Sequence, residues 1–255
     1  MIYLDNIIFN LQNSGGISKY WYYINKSLKK NKIEFGNVVL NAKTNNIFNI
    51  QSKNNIIIEK KKPFLINRYL PIKIEKKKFI FHSSYYRYCY SKNAVNIVTV
   101  HDFIYEKFRN LIPRFIHSLQ KKNTVNNSNK IICNSENTKK DLLEFYPKIL
   151  ERNIKVIPMG ADQNIFHVQK KKKITNELNF LENKKFILFI GNPLIKYKNF
   201  DLVNKILSKI PDFKLVIVTE ISLKRFKHKL SEINLEKIIV LKKISDKNLN
   251  LLYNS

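Results

Sequence analysis

The stretch IYLDNIIFNLQNSGGISKYWYYINKSLKK, residues 2–30, sets the architecture of the chain. The apolar run at residues 2–8 predicts a buried strand, and the pattern of residues 17–30 predicts a helix. One face of that helix carries Ile17, Tyr20, Trp21, Ile24 and Leu28. Gly15 and Gly16 separate the two elements. A strand, a glycine turn and an amphipathic helix in this order are typical of an α/β domain with a parallel sheet.

The same alternation continues to the end of the chain. Further strands are predicted at residues 36–40, 78–81, 96–100, 130–133, 154–157, 186–190, 213–219 and 237–241. Helical patterns occupy residues 136–146, 199–209, 222–233 and 246–253. Together these patterns predict an α/β fold with two Rossmann-like domains.

Four consecutive lysines at residues 170–173 indicate a linker or an exposed loop. The predicted domains are therefore residues 1–166 and residues 167–255. The second domain has only three strand-like runs, whereas a Rossmann-like sheet usually has about six strands. We expect it to be the first half of such a domain.

The composition excludes several classes of protein. With 44% hydrophobic and 26% charged residues over 255 positions, the chain is expected to fold and to bury a sizeable core. No apolar run approaches the roughly 18 residues of a membrane-spanning helix, and the first residues do not resemble an export signal. Cys89 and Cys133 lack metal-ligand spacing. These features predict a cytoplasmic chain with reduced thiols and no metal.

The net charge of +28 points to an anionic partner. Only six of the 47 basic residues are Arg, which argues against specific reading of nucleic acid bases. A basic membrane-binding or RNA-binding module remains an alternative class. Lysine clusters at residues 60–62 and 76–78 favour peripheral contact with an anionic membrane, such as the inner face of the cell membrane.

Two segments of the first domain have the composition of a ligand site. Gly15 and Gly16 allow close approach of a ligand to the backbone, and the helix that follows offers free N–H groups to a phosphate. His101 and Asp102 directly follow a predicted strand, at the sheet edge where α/β proteins bind ligands. The alternatives are an ordinary strand-to-helix turn and a histidine satisfied within a loop.

Two further segments complete the candidate set. Gly191, at the end of a predicted strand, is followed by Asn192, Lys196 and Lys198 before the next helix, and ammonium groups at this position suit a diphosphate. A solvated lysine face is the alternative reading. The loop after residues 78–81 contains Tyr85 and Arg87, which suit the stacking and hydrogen bonding of a sugar acceptor.

These segments, taken in order, resemble the family 4 glycosyltransferases, which are retaining enzymes with the two-domain GT-B fold. The similarity extends over essentially the whole chain. It is carried by a glycine motif at residues 15–20, a His-Asp pair at 101–102, a capped helix at 134–141, an interdomain turn at 156–162 and a diphosphate loop at 191–199.

The resemblance implies transfer of a sugar from a nucleotide-diphosphate sugar to a glycan or lipid-linked acceptor in cell-surface polysaccharide synthesis, without a metal or other cofactor. It implies catalytic roles for His101 and Asp102. It places the donor on Gly15 and Gly16 and on the loop residues Asn192, Lys196 and Lys198. Tyr85 and Arg87 would contact the acceptor.

The sequence departs from the family pattern at two places. Asn192 stands where an Arg is common, so phosphate binding would depend mainly on Lys198. The family's paired glutamates belong to the later part of the second domain, beyond Ser255. A truncated, inactive relative that binds only an acceptor or a partner is therefore an alternative, and we expect no transferase activity from these 255 residues alone.

Overall fold

The structure is a computed structural model that describes residues 1–40, 44–48, 56–59, 64–108, 111–169, 176–182, 184–230 and 232–255. The chain divides into two compact units, Met1–Met159 and Gly160–Ser255. We refer to them as unit 1 and unit 2. The division falls slightly before the predicted boundary between residues 166 and 167. One of the two lysine clusters, residues 60–62, lies outside the described residues.

Unit 1 is built on a seven-stranded parallel sheet. Its strands are β1 (Ile2–Asp5), β2 (Phe35–Leu40), β3 (Ile56–Glu59), β4 (Phe79–Ser83), β5 (Ala94–Val100), β6 (Lys130–Cys133) and β7 (Ile154–Val156). Their order in the sheet is β3-β2-β1-β4-β5-β6-β7. The chain thus builds outward in one direction from β1 and in the other from β4. The point between β1 and β4 is where such a sheet forms a ligand crevice at the carboxyl ends of its strands.

The helices of unit 1 occur between these strands in the sequence. They are α1 (Ile8–Leu11), α2 (Gly16–Lys30), α3 (Phe64–Asn67), α4 (Ile104–Phe108), α5 (Leu111–Asn126) and α6 (Glu136–Phe145), with a short 3-10 turn at Glu151–Asn153. Trp21 of α2 is fully buried against Leu4 and Phe9, as its helical spacing predicts. Ser135 caps α6 by accepting a hydrogen bond from the Thr138 N–H at 3.1 Å.

Unit 2 has a three-stranded parallel sheet in the order β10-β9-β8. Its elements are β8 (Phe186–Ile190), α7 (Phe200–Lys209), β9 (Lys214–Val218), α8 (Leu223–Phe226), β10 (Ile238–Leu241) and α9 (Asp246–Tyr253), with 3-10 turns at Asn176–Leu181, Lys196–Lys198, Lys227–Lys229 and Glu232–Lys237. Phe200, Leu207 and Phe226 pack on one face of this sheet.

The parallel α/β architecture predicted from the sequence is confirmed. Several details differ. The helix predicted at residues 222–233 is a single turn, α8, followed by 3-10 turns. The strand predicted at residues 2–8 ends at Asp5, and Ile8 begins α1. Strand β3 and helices α1, α3, α4 and α5 were not predicted. In the part of the chain that the structure describes, no helix is long and apolar enough to cross a membrane.

Candidate functional site

Two histidines lie side by side at the carboxyl edge of the sheet in unit 1. His82 belongs to β4 and His101 follows β5, and the two strands pair in parallel. Nε2 of His82 lies 2.9 Å from Oγ1 of Thr99, which also hydrogen-bonds the Tyr20 side chain. The Tyr20 ring meets the His101 ring edge-on at 5.3 Å. Helix α2 therefore contributes directly to this edge of the sheet through Tyr20.

His101 is buried and has an unused hydrogen-bonding atom. The residue is 8% exposed, and among the described residues its Nε2 has no hydrogen-bond partner. Burial lowers the pKa of His101 to about 4; Asp102 opposes this shift and Lys121 adds to it. The imidazole is thus neutral at pH 7. A buried, unpaired ring nitrogen is costly unless a ligand or water satisfies it.

Asp102, the second predicted catalytic residue, accepts hydrogen bonds with both its side chain and its backbone carbonyl. Its Oδ1 accepts a hydrogen bond from the Ile104 N–H at 3.0 Å, and this bond stabilises the start of α4. Its backbone carbonyl accepts a hydrogen bond from Nζ of Lys121 at 2.8 Å. These contacts fix the loop that carries His101.

Lys121 is part of a buried charge cluster that was not predicted. Its Nζ lies 2.8 Å from Oε2 of Glu106, and Nδ1 of His117 lies 3.3 Å from the other carboxylate oxygen. Burial raises the pKa of Glu106, but the hydrogen bond to His117 and the charge of Lys121 outweigh it and bring the pKa to about 2. Burial lowers the pKa of Lys121, against the attraction of Glu106. In the sequence, the i, i+4 spacing of the polar residues His117 and Lys121 could have indicated this cluster.

Gly15 is the N-cap of α2 and Gly16 is its first residue, so the two lie at the helix start as predicted, but their surroundings differ. A β-carbon on Gly15 would lie 2.6 Å from Oε1 of Gln12, so this position needs glycine or a shift of Gln12. A β-carbon on Gly16 would have open space around it. The first amides of a helix have no partner within the helix. Space for a ligand therefore exists beside Gly16.

The two predicted acceptor residues have different environments. The Arg87 side chain is 1% exposed and pairs with the buried Asp5 through its Nε and Nη2 atoms, with Nε 3.0 Å from Oδ2. Its guanidinium is therefore not presented to an acceptor; it ties the end of β1 to the chain after β4, and the expectation from the sequence needs this correction. Tyr85 is only partly buried, with its ring 5.9 Å from that of His117.

The predicted diphosphate loop of unit 2 is a turn built around Gly191. The backbone φ of Gly191 is +143°, which disfavours residues with a side chain, and its N–H donates to the Val218 carbonyl at 3.0 Å. Oδ1 of Asn192 accepts from the Leu194 N–H at 2.9 Å, so this side chain is used to form the turn.

Lys198 lies over this glycine. Its Cε would be 3.7 Å from a β-carbon placed on Gly191. Lys196 and Lys198 are both exposed, and within the described residues neither pairs with a carboxylate. Nζ of Lys198 lies 5.5 Å from the centre of the Tyr197 ring. The turn thus places two exposed ammonium groups between the carboxyl end of β8 and the start of α7.

The sequence matches Glycosyltransferase Family 4 over residues 14–164, which is more than half of the chain. The chain belongs to this family. Comparison with curated proteins gives no match.

The following solved structures have the same fold and are distant in sequence. HepE of Anabaena, in complex with UDP and glucose, has a TM-score of 0.68 at 12% identity, covering 99% of this chain and 71% of HepE. MnaA of S. aureus with UDP has a TM-score of 0.53 at 12% identity, covering 99% of this chain and 71% of MnaA. A putative UDP-N-acetylglucosamine 2-epimerase of Listeria monocytogenes has a TM-score of 0.50 at 13% identity, covering 100% of this chain and 72% of the epimerase. The GT-B fold prediction is confirmed by these likenesses.

Proposed function

We propose that this chain binds a UDP-sugar and transfers the sugar, with retention of its anomeric configuration, to a glycan or lipid-linked acceptor of a cell-surface polysaccharide. The family and the fold support transfer, and the complexes of HepE and MnaA with UDP support the choice of nucleotide. We place the reaction in the cytoplasm. The observation that carries the proposal is the Gly191 turn, with the Lys198 stem packed beside the glycine and Lys196 exposed nearby in the same loop; among the described residues neither lysine pairs with a carboxylate.

Lys198 has the strongest case for a role at the donor phosphates. When the sugar leaves, negative charge grows on the diphosphate, and fixed positive charge at that position lowers the barrier. The absence of a side chain at Gly191 lets the Lys198 stem pack close to the backbone of the turn, with Cε 3.7 Å from the position of a β-carbon. Asn192 contributes by shaping the turn, and Lys196 adds a second cation.

His101 is proposed to act on the sugar and not on the nucleotide. Its neutral ring offers the unpaired Nε2 to a sugar hydroxyl. Asp102 holds the loop in place through its contacts with Ile104 and Lys121. Gly16 is proposed to admit a donor oxygen to the first amides of α2. Tyr85 remains the proposed acceptor contact.

The test is an assay of turnover of UDP-sugars, for example UDP-glucose and UDP-N-acetylglucosamine, in which NMR detects the products. The proposal predicts UDP release and a first-formed product with the anomeric configuration of the donor. The sequence alone predicts no transferase activity from these 255 residues, and the same measurement decides between the two predictions. Lys198→Ala should slow release, whereas Lys209→Ala, an exposed lysine at the end of α7, should not. Gly16→Ala should retain the fold and lose turnover.

Other outcomes identify the alternatives. A product of inverted configuration would contradict the retaining mechanism. UDP binding without release from any donor would favour an inactive relative that only binds. Binding of RNA that weakens steeply with salt, with no affinity for UDP, would favour the basic-module alternative.

A further inference from the structure

Helix α5 has its polar and apolar faces reversed. The residues that it buries are largely polar: His117, Gln120, Lys121, Thr124 and Val125. Its exposed residues are largely apolar, with Leu111 80%, Ile112 75%, Phe115 69%, Ile116 45% and Leu119 55% exposed. A helix on the surface of a globular domain normally has the opposite arrangement.

The exposed apolar residues form one stripe. Positions 111, 115 and 119 follow each other at four-residue spacing, and 112 and 116 lie beside them, so all five share a face. The buried residues Lys121 and Glu106 form the ion pair described above, which accounts for the polarity of the inner face. Among the residues that the structure describes, no comparable contact accounts for the outer face. Contiguous exposed apolar surface of this kind marks an interaction site.

The apolar surface continues beyond α5. Tyr69 is 43% exposed and, together with Phe115, Ile116 and Leu119, lines an open cleft of about 560 Å³. Phe108, at the end of α4, is also exposed. An exposed tyrosine at the rim of an apolar surface is typical of the boundary between water and the interior of a bilayer.

The charges around the stripe indicate which kind of partner would bind there. Helix α5 has no Asp or Glu, and Arg114 and Lys122 are exposed on it. The chain has a net charge of +28, so two copies brought together at this face would repel each other. Anionic lipid headgroups would attract the basic side chains while the acyl chains cover the apolar ones.

We infer that α5 lies in the surface of an anionic bilayer, with Ile112, Phe115 and Leu119 embedded at the boundary of the acyl chains. This differs from the expectation of a purely electrostatic contact at lysine clusters. The binding requires no nucleotide sugar, so its outcome is independent of the proposed transfer reaction.

The experiment measures binding to vesicles of phosphatidylcholine and phosphatidylglycerol in equal parts. The variant is Ile112→Ser with Phe115→Ser, and the matched control is Leu202→Ser with Ile206→Ser, two exposed apolar residues of α7. Both variants keep the net charge. We expect the α5 variant to bind vesicles roughly tenfold or more weakly and the control to bind within about twofold of the parent chain.

A second measurement places the helix relative to the lipid. Trp21 is fully buried, so Phe115→Trp introduces a fluorophore whose signal stands out. Lipids brominated on their acyl chains should quench it, and the blue shift on binding should persist at high salt. Equal vesicle binding by the two double variants, or no quenching at position 115, would overturn the inference. So would sedimentation showing that the α5 variant abolishes self-association while vesicle binding is unchanged.

Discussion

At the scale of single residues, the site of unit 1 depends on two imidazoles that stay neutral. Burial lowers the pKa of His82 to about 4, and the neighbouring His101 adds to the shift. His101 itself has a pKa of about 4 for the same main reason. Neutral rings can accept a hydrogen bond, and Nε2 of His101 is the atom left for one.

These shifts predict how stability depends on pH. Both histidines titrate near 6.5 when unfolded and near 4 when folded, so they favour the folded state above 6.5 and this contribution is lost as the pH falls. Between about pH 7 and about pH 5 the free energy of unfolding should fall by roughly 2–4 kcal/mol. Urea unfolding at a series of pH values measures this change in the free energy of unfolding. Replacing both residues by Gln should flatten the profile in this window, and an unchanged slope would contradict the assignment.

At the scale of elements, the contact between α4 and α5 holds the His101 loop. Lys121 reaches from α5 to Glu106 on α4 and to the Asp102 carbonyl. Its Nζ also lies 4.1 Å from the centre of the Phe103 ring, so the cation is enclosed by both charge and aromatic surface. One side chain thus connects the helix pair to the loop after β5.

Removing this cation should be costly. Lys121→Met leaves the Glu106 carboxylate buried with only partial compensation, and we expect a loss of roughly 3–5 kcal/mol in the free energy of unfolding. The double variant with Glu106→Leu should recover part of the loss. Lys122→Met, the exposed neighbour, should change stability by less than about 0.5 kcal/mol and serves as the control. A small effect of Lys121→Met in urea unfolding would show that the cluster is not structural.

Individual strands and helices show where reading the sequence succeeds and where it does not. Strands β6 and β8 and helix α9 have the predicted bounds, because their apolar patterns face the core as the periodicity assumes. Helix α5 was not predicted, since its apolar stripe faces outward and Pro113 stands near its start.

The site shows the same limits. The position of His101 at a strand end followed from the strand pattern alone. The burial of Arg87 did not, because its partner Asp5 is 82 residues away in the sequence. Only the pairing of β1 with β4 brings the two together.

At the scale of the whole molecule, the two units differ in the share of their strands that lie at a sheet edge. Central strands contain fully buried residues in both, as Leu4 and Phe81 show in unit 1 and Val216 in unit 2. Among the described residues, unit 1 has five strands between its two edge strands, whereas unit 2 has only β9 between β8 and β10, and every residue of β10 is only partly buried.

Hydrogen exchange should reflect this difference. Amides of β8 and β10 should exchange faster than those of β1, β4 and β5, since edge strands with partly exposed side chains open more readily. Limited proteolysis should cut beyond about residue 167 first and leave unit 1 as the resistant core. Equal protection of the two sheets in mass-spectrometric exchange would show that unit 2 is as stable as unit 1.

The central claim is that this chain binds a nucleoside diphosphate through the turn at Gly191 and Lys198. The most direct measurement is calorimetric titration with UDP and with uridine, for the parent chain, Lys198→Ala and Lys209→Ala. We predict that UDP binds more tightly than uridine, and that Lys198→Ala weakens UDP binding by roughly 1.5–3 kcal/mol without affecting uridine, while Lys209→Ala matches the parent. Equal affinities for UDP and uridine, or equal UDP binding by all three chains, would contradict the claim.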